Sequence, residues 1–168
     1  MPKAVVHILL AIIVLDLFRD YVVKDKKAMP LHVLLIGGIA GLLPDFDIPL
    51  YWLVKNVLGY DVALFHRTFT HSLFFPLIFV GLGLLLYFYN KKAAMITAVV
   101  AFGVAFHIFL DASLTGYTML LYPFSTQYFG FDVLGNVTWI SFVDGLDAII
   151  LVLWLAHEEM RHKISDFI

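Results

Sequence analysis

Apolar positions along this chain come in long blocks, and the polar positions gather in the gaps between them. Five blocks stand out, at about Ala4–Phe18, Met29–Leu43, Ser72–Tyr89, Ala93–Leu110 and Trp139–Ala156. Each is read as a membrane-spanning helix. The second is short against the roughly 20 residues a bilayer needs, so it is expected to extend through Lys26–Lys27 or to sit in thinned lipid. The first follows Met-Pro-Lys, as a signal peptide would. No small-residue cleavage site comes after it, and Asp16, Arg19 and Asp20 do, so it is read as a retained helix. Gly37, Gly38 and Gly41 place small residues on one face of the second block, a pattern suited to close helix packing.

Composition supports this reading. Of 168 residues, 62% are hydrophobic and 14% charged, with a mean hydropathy of +0.93, whereas soluble domains run at about 45–50% and 25%. The expected fold class is therefore an all-α integral membrane protein of about five transmembrane helices in one bundle. Neither repeats nor linkers divide it, so residues 1–168 are read as a single domain. A net charge of −2 points to no nucleic-acid partner. With no cysteine there is neither a disulfide nor a thiolate metal site, so any metal must be held by His, Asp or Glu.

Charge also orients the bundle. Arg19, Lys24, Lys26, Lys27, Lys91, Lys92, Arg161 and Lys163 fall on one side of the five blocks, while Asp111–Thr138 has no Lys or Arg. The positive-inside rule then puts the amino terminus outside and the carboxyl terminus in the cytoplasm. Tyr51, Trp52, Tyr117, Tyr122 and Trp139 read as an aromatic belt at the outer interface, and Asp16, His32, His157, Glu158 and Glu159 as solvated residues at the cytoplasmic ends.

Against this background the polar residues near the outer ends are conspicuous. His7 belongs to the first block, Asp45 and Asp47 (PDFD) follow the second, His66, Arg67 and His71 (HRTFTHS) precede the third, and His107 and Asp111 (HIFLD) close the fourth. His107 and Asp111 are four apart and share a helix face, so both can reach one cation. Pro44 and Pro49 bracket the two aspartates and are expected to impose an extended turn there. Imidazole with carboxylate suits zinc, manganese or iron. Seven candidate ligands, His7, Asp45, Asp47, His66, His71, His107 and Asp111, leave room for one ion or two. Ser72 reads as the cap of the third block. Asp144 and Asp147 lie inside the fifth, where a buried carboxylate calls for a partner and support of a ligand histidine is the expected role.

The ordered set PDFD, HRTFTHS and HIFLDASLTGYTMLLYPFS, with a histidine near the amino terminus, resembles the YdjM-type family of membrane-bound, metal-dependent hydrolases. That family is grouped with the helical superfamily of zinc-dependent phospholipases C and nucleases. The resemblance implies a phospholipase C-like helical core and makes Asp45, His66, His71, His107 and Asp111 metal ligands, with His7 and Asp47 as further ones. The superfamily's second His-xxx-Glu/Asp pair has no counterpart in the fifth block beyond Asp144 and Asp147. The expected activity is phosphoester hydrolysis of a lipid or lipid-linked substrate at the outer membrane face, with zinc first among the metals. Arg67 is the expected phosphate clamp, because its planar fork matches phosphate, and Asp47 or Asp111 the group that takes the proton from water. The rival is a metal or proton transporter, which needs a polar path through the midplane. The stretch from Phe74 to Val104 offers almost none.

Overall fold

Every apolar block is helical in the computed structural model, which describes residues 4–59, 67–114, 117–131, 133 and 140–162, the side chains of 140–148 and 162 excepted. In chain order the helices are α1 (Ala4–Phe18), α2 (Leu31–Ala40), α3 (Asp47–Leu58), α4 (Phe74–Tyr87), α5 (Lys91–Leu114) and α6 (Ile140–His162). A π-helical turn at Arg19–Val23 and 3-10 turns at Pro44–Phe46 and Phe69–His71 join them. No strand occurs among the described residues; Thr118 and Phe129 only exchange a pair of backbone hydrogen bonds.

The all-α expectation holds, but the lengths are more modest than five full spans. Among the described residues α5, with 24, is long and apolar enough to cross a bilayer by itself, and α2 with the Pro44–Leu58 segment does so only as a pair bent by 48°. At about 1.5 Å per residue, the 15 residues of α1 and the 14 of α4 rise about 23 and 21 Å, short of the roughly 30 Å of a hydrocarbon core.

The turn around Asp45 differs from expectation. It is helical: Pro44 opens a 3-10 turn, Asp47 begins α3, and Pro49 falls in the first turn of α3. Proline is tolerated there because the first N–H groups of a helix have no intrahelical acceptor to lose. Ser72 also departs from its expected role. Its hydroxyl donates to Phe69 O at 2.8 Å, closing the 3-10 turn, and α4 starts after it with no side-chain cap.

Helix α5 is the central element, packing on α4, α2 and α1. Leu15, Met29, Val33, Leu34 and Val99 form the buried cluster between α1, α2 and α5. Glycines set how close these helices come. A Cβ on Gly37 would run into Leu15 and Val99, and one on Gly103 would overlap the backbone carbonyl of Gly37. The backbones of α2 and α5 therefore nearly touch at Gly37 and Gly103. His107, one turn beyond Gly103, is thereby carried against the Asp45 turn at the end of α2. Outward faces stay apolar: Leu77, Ile78, Leu84 and Leu85 on α4 and Val152 and Leu153 on α6 are exposed, an amount of bare hydrocarbon that calls for lipid. Trp52 and Tyr117 are exposed as the belt reading requires, while Trp139 lies outside the described residues.

After α5 the chain folds back over the same end of the bundle. Leu73 N–H donates to Leu120 O at 2.9 Å and Phe131 N–H to Ala112 O at 2.9 Å. At the other end, the residues expected to be solvated are partly buried. Asp16 and Glu158 are buried with Arg19, which pairs with Asp16 and lies 3.6 Å from Glu158 Oε1. His32 and Glu159 are exposed as expected. A carboxylate facing a packed helix is kept there by a cation, and Arg19, one turn after Asp16, supplies it.

Candidate metal centre

Four elements converge at the end of the bundle where α1 begins and α5 finishes. Helix α1 contributes His7, the turn after α2 contributes Asp45, the Phe69–His71 turn contributes His71, and α5 contributes His107 and Asp111. Two sets of ligand atoms lie close enough to hold an ion: His7, His107 and Asp111, and Asp45, His71 and His107. The sets share His107, and one imidazole nitrogen holds one ion.

The distances describe a single cluster. Asp45 Oδ1 lies 3.5 Å from His71 Nε2 and 3.6 Å from His107 Nε2; Asp111 Oδ2 lies 3.7 Å from His71 Nε2 and 3.9 Å from His107 Nε2. Around a tetrahedral cation with bonds of about 2.0–2.2 Å, donor atoms stand about 3.3–3.6 Å apart, so Asp45, His71 and His107 stand close to the spacing one ion needs, with Asp111 beside them. These separations are too long for hydrogen bonds. Asp45 Oδ1 and both ring nitrogens of His107 are buried and make none. Leaving such atoms unmatched costs about 1–3 kcal/mol each, and a cation at the shared point would satisfy two of them together. The residues present therefore fit a divalent transition metal.

Surrounding groups aim the ligands. Asp111 Oδ1 faces His7 Nε2 at 3.4 Å, and the His7 and His107 rings lie 4.2 Å apart, tilted by 33°. His71 is held from behind: Thr70 Oγ1 is 3.1 Å from His71 Nδ1 and donates to Asp47 Oδ2 at 2.8 Å. With that hydroxyl proton committed to Asp47, the Thr70 oxygen accepts from Nδ1–H, and the Nε2 lone pair is left for the cluster. Asp47, proposed from sequence as a ligand, thus stands behind His71 at 3.6 Å and outside both ligand sets.

Arg67 completes the arrangement. Its backbone takes φ 62, a conformation that costs a residue with a side chain of order 1 kcal/mol; its N–H donates to Asp47 Oδ2 at 3.2 Å and its Nη2 to Asp111 Oδ2 at 3.3 Å. The buried His71, His107, Asp111 and Asp47 lie beneath a mouth formed by Arg67, 17% exposed, and Asp45, 27% exposed. These two are the partly exposed members of the group.

Of the residues expected from sequence, His7, Asp45, His71, His107 and Asp111 are brought together, and Asp47 and Arg67 flank them. His66 and the side chains of Asp144 and Asp147 lie outside the described residues. Thr70 had no assigned role, although its place beside His71 in HRTFTHS was a usable signal. Gly103 was likewise unmarked, four positions before His107 and so on the same helix face.

The class defined by this fold and site is an all-helical protein of apolar outer surface with a buried His/Asp cluster, of metal-ligand chemistry, at one end of its bundle. The chain belongs to the YdjM inner membrane protein family, whose model matches residues 1–164. No curated protein and no solved structure matches it.

Proposed function

We propose that this chain is a membrane-bound, metal-dependent hydrolase that cleaves a phosphoester of a lipid or lipid-linked substrate at the His/Asp cluster. The observation that carries the reading is the convergence of His71, His107, Asp45 and Asp111, with Asp45 Oδ1 and His107 Nε2 facing each other at 3.6 Å without a hydrogen bond. Asp45, His71 and His107 would hold one ion, zinc first by ligand chemistry and manganese or iron as alternatives, and leave a position open beside Asp111. A bound cation would supply Lewis-acid polarisation of a phosphoryl oxygen and a nucleophile at neutral pH.

The chain's own groups do the rest. Arg67, at the mouth, binds a non-bridging phosphate oxygen through its planar fork. In the substrate-free arrangement that fork rests on Asp111, so an arriving phosphate exchanges one anionic partner for another and leaves no charge stranded. Asp111 takes up the proton of the attacking water, and its Oδ1 shares that proton with His7 at 3.4 Å. Thr70 and Asp47 keep the His71 ring in the tautomer that presents Nε2 to the cluster. Lipid is the favoured substrate because the mouth lies at the end of a bundle whose sides are bare hydrocarbon. The same reading includes five membrane passes, the amino terminus and the cluster outside, and the carboxyl terminus in the cytoplasm.

Asp111→Asn tests the proposal. It keeps size and removes the charge, and should abolish hydrolysis of a lipid phosphodiester while the detergent-solubilised protein stays monodisperse. Metal flux into sealed vesicles, blocked by the same change, would replace the hydrolase reading with a transporter.

A further inference from the structure

Polar residues gather around a hollow at the far end of α1. Arg19 is twelve residues beyond His7, about 18 Å along the helix, and a cavity of about 200 Å³ there is lined by Arg19, Asp20, Lys24, Lys26 and Arg161. Four cations face one carboxylate across it. A positive-inside bias explains how many basic residues lie on one side of a bundle, but it gives no reason for them to converge on one hollow.

Three of the four cations are placed by separate devices. Arg19 is buried and anchored from within by Asp16 and Glu158, neither of which lines the cavity, and by Asp20 at 3.2 Å. Lys24 ends the π-helical turn in a left-handed conformation, φ 55, with its N–H on Arg19 O at 2.7 Å. Arg161 arrives from α6, 140 positions away, where its Nη2 donates to Tyr21 OH at 3.0 Å and its guanidinium lies 5.6 Å from the Tyr21 ring. Lys24 and Lys26 make no ion pair among the described residues. An apolar cavity of about 350 Å³ adjoins in sequence: Phe18, Val23, Ala28 and Met29 line it, interleaved with the basic residues of the first. One stretch of chain, Phe18–Met29, thus serves a cationic hollow and an apolar one.

We propose that this end of the bundle binds the headgroup phosphate of an anionic phospholipid, Lys24, Lys26 and Arg161 taking the phosphate oxygens and the apolar cavity an acyl chain. The hollow is smaller than the roughly 300–1,000 Å³ of sites for drug-sized ligands, which suits a phosphate group and excludes a nucleotide. Basic pockets among membrane helices are suited to such headgroups. The proposal is independent of the hydrolase reading and concerns the opposite end of the molecule.

The test is a titration of the purified full chain in detergent with phosphatidylglycerol, phosphatidylcholine or inorganic phosphate, followed by thermal unfolding. Phosphatidylglycerol should raise the midpoint and the other two should not. Lys24→Gln with Lys26→Gln, both at exposed positions, should weaken that response about 25-fold in lipid concentration, at about fivefold per basic group. Lys24→Arg with Lys26→Arg should retain it. Equal responses to the two lipids, or an undiminished response in the double Gln variant, would overturn the proposal, and equal stabilisation by inorganic phosphate would overturn the lipid assignment.

Discussion

His107→Leu separates a metal ligand from a merely buried histidine. His107 belongs to both ligand sets, so no choice of alternative ligands bypasses its loss. Structural zinc sites are worth about 10–16 kcal/mol in total, or about 2.5–4 kcal/mol for each of four ligands, which is about 70- to 850-fold in affinity. With the ion at a thousand times its dissociation constant, binding stabilises the fold by about 4 kcal/mol. After that loss of affinity the same concentration stabilises it by only about 0.5–1.6 kcal/mol. The metal-free protein should behave in the opposite way. Both ring nitrogens of His107 are buried without a hydrogen bond, and replacing such a group by an apolar one of similar size is close to neutral or stabilising. Wild type should therefore be the more stable protein with metal, and the variant equal or better in chelator. Thermal unfolding in detergent with and without chelator, alongside elemental analysis, reads both arms. A variant that retains wild-type metal content, or one that loses as much stability in chelator as in metal, would refute the ligand assignment.

Three further outcomes are expected. Thr70→Val removes the hydroxyl between the buried His71 and Asp47 and should weaken metal binding about 10- to 100-fold, measured by competition with a chromogenic chelator, and lower metal-free stability by about 1–3 kcal/mol. Gly103→Ala drives a methyl into the Gly37 carbonyl and should cost about 1–3 kcal/mol or more as overpacking does, lowering metal affinity as well, whereas Gly81→Ala, with open space around it, should be harmless in the same melting experiment. Because the chain has no cysteine, single cysteines at Gly130 and Asn90 report topology cleanly: an impermeant thiol reagent on intact cells should label the first and spare the second, and the reverse pattern would invert the bundle.

How much was legible in the sequence varies from residue to residue. The run Ala4–Phe18 is helical over its whole length, because an apolar run broken only by His7 and Asp16 has one way to satisfy its backbone away from water. His107 and Asp111 were legible as a pair, since a spacing of four is a local property of any helix. The α3 helix was not: Pro44 and Pro49 read as breaks, and only its position in the chain's path shows that both sit where a helix begins.

Residue types, the helices of the five apolar blocks and the end of the bundle at which His7, Asp45, His71, His107 and Asp111 gather were thus legible in the sequence alone, because each follows from neighbours a few positions away. Tertiary structure decided which of them meet. Asp45 and His107 are 62 positions apart in the chain, and they face each other because Gly37 and Gly103 let two helix backbones approach to near contact. The same packing put Asp47 behind His71 and buried Asp16 and Glu158 around Arg19. Burial and partnership depend on the distance between helices, and that distance is set by residues far apart in sequence.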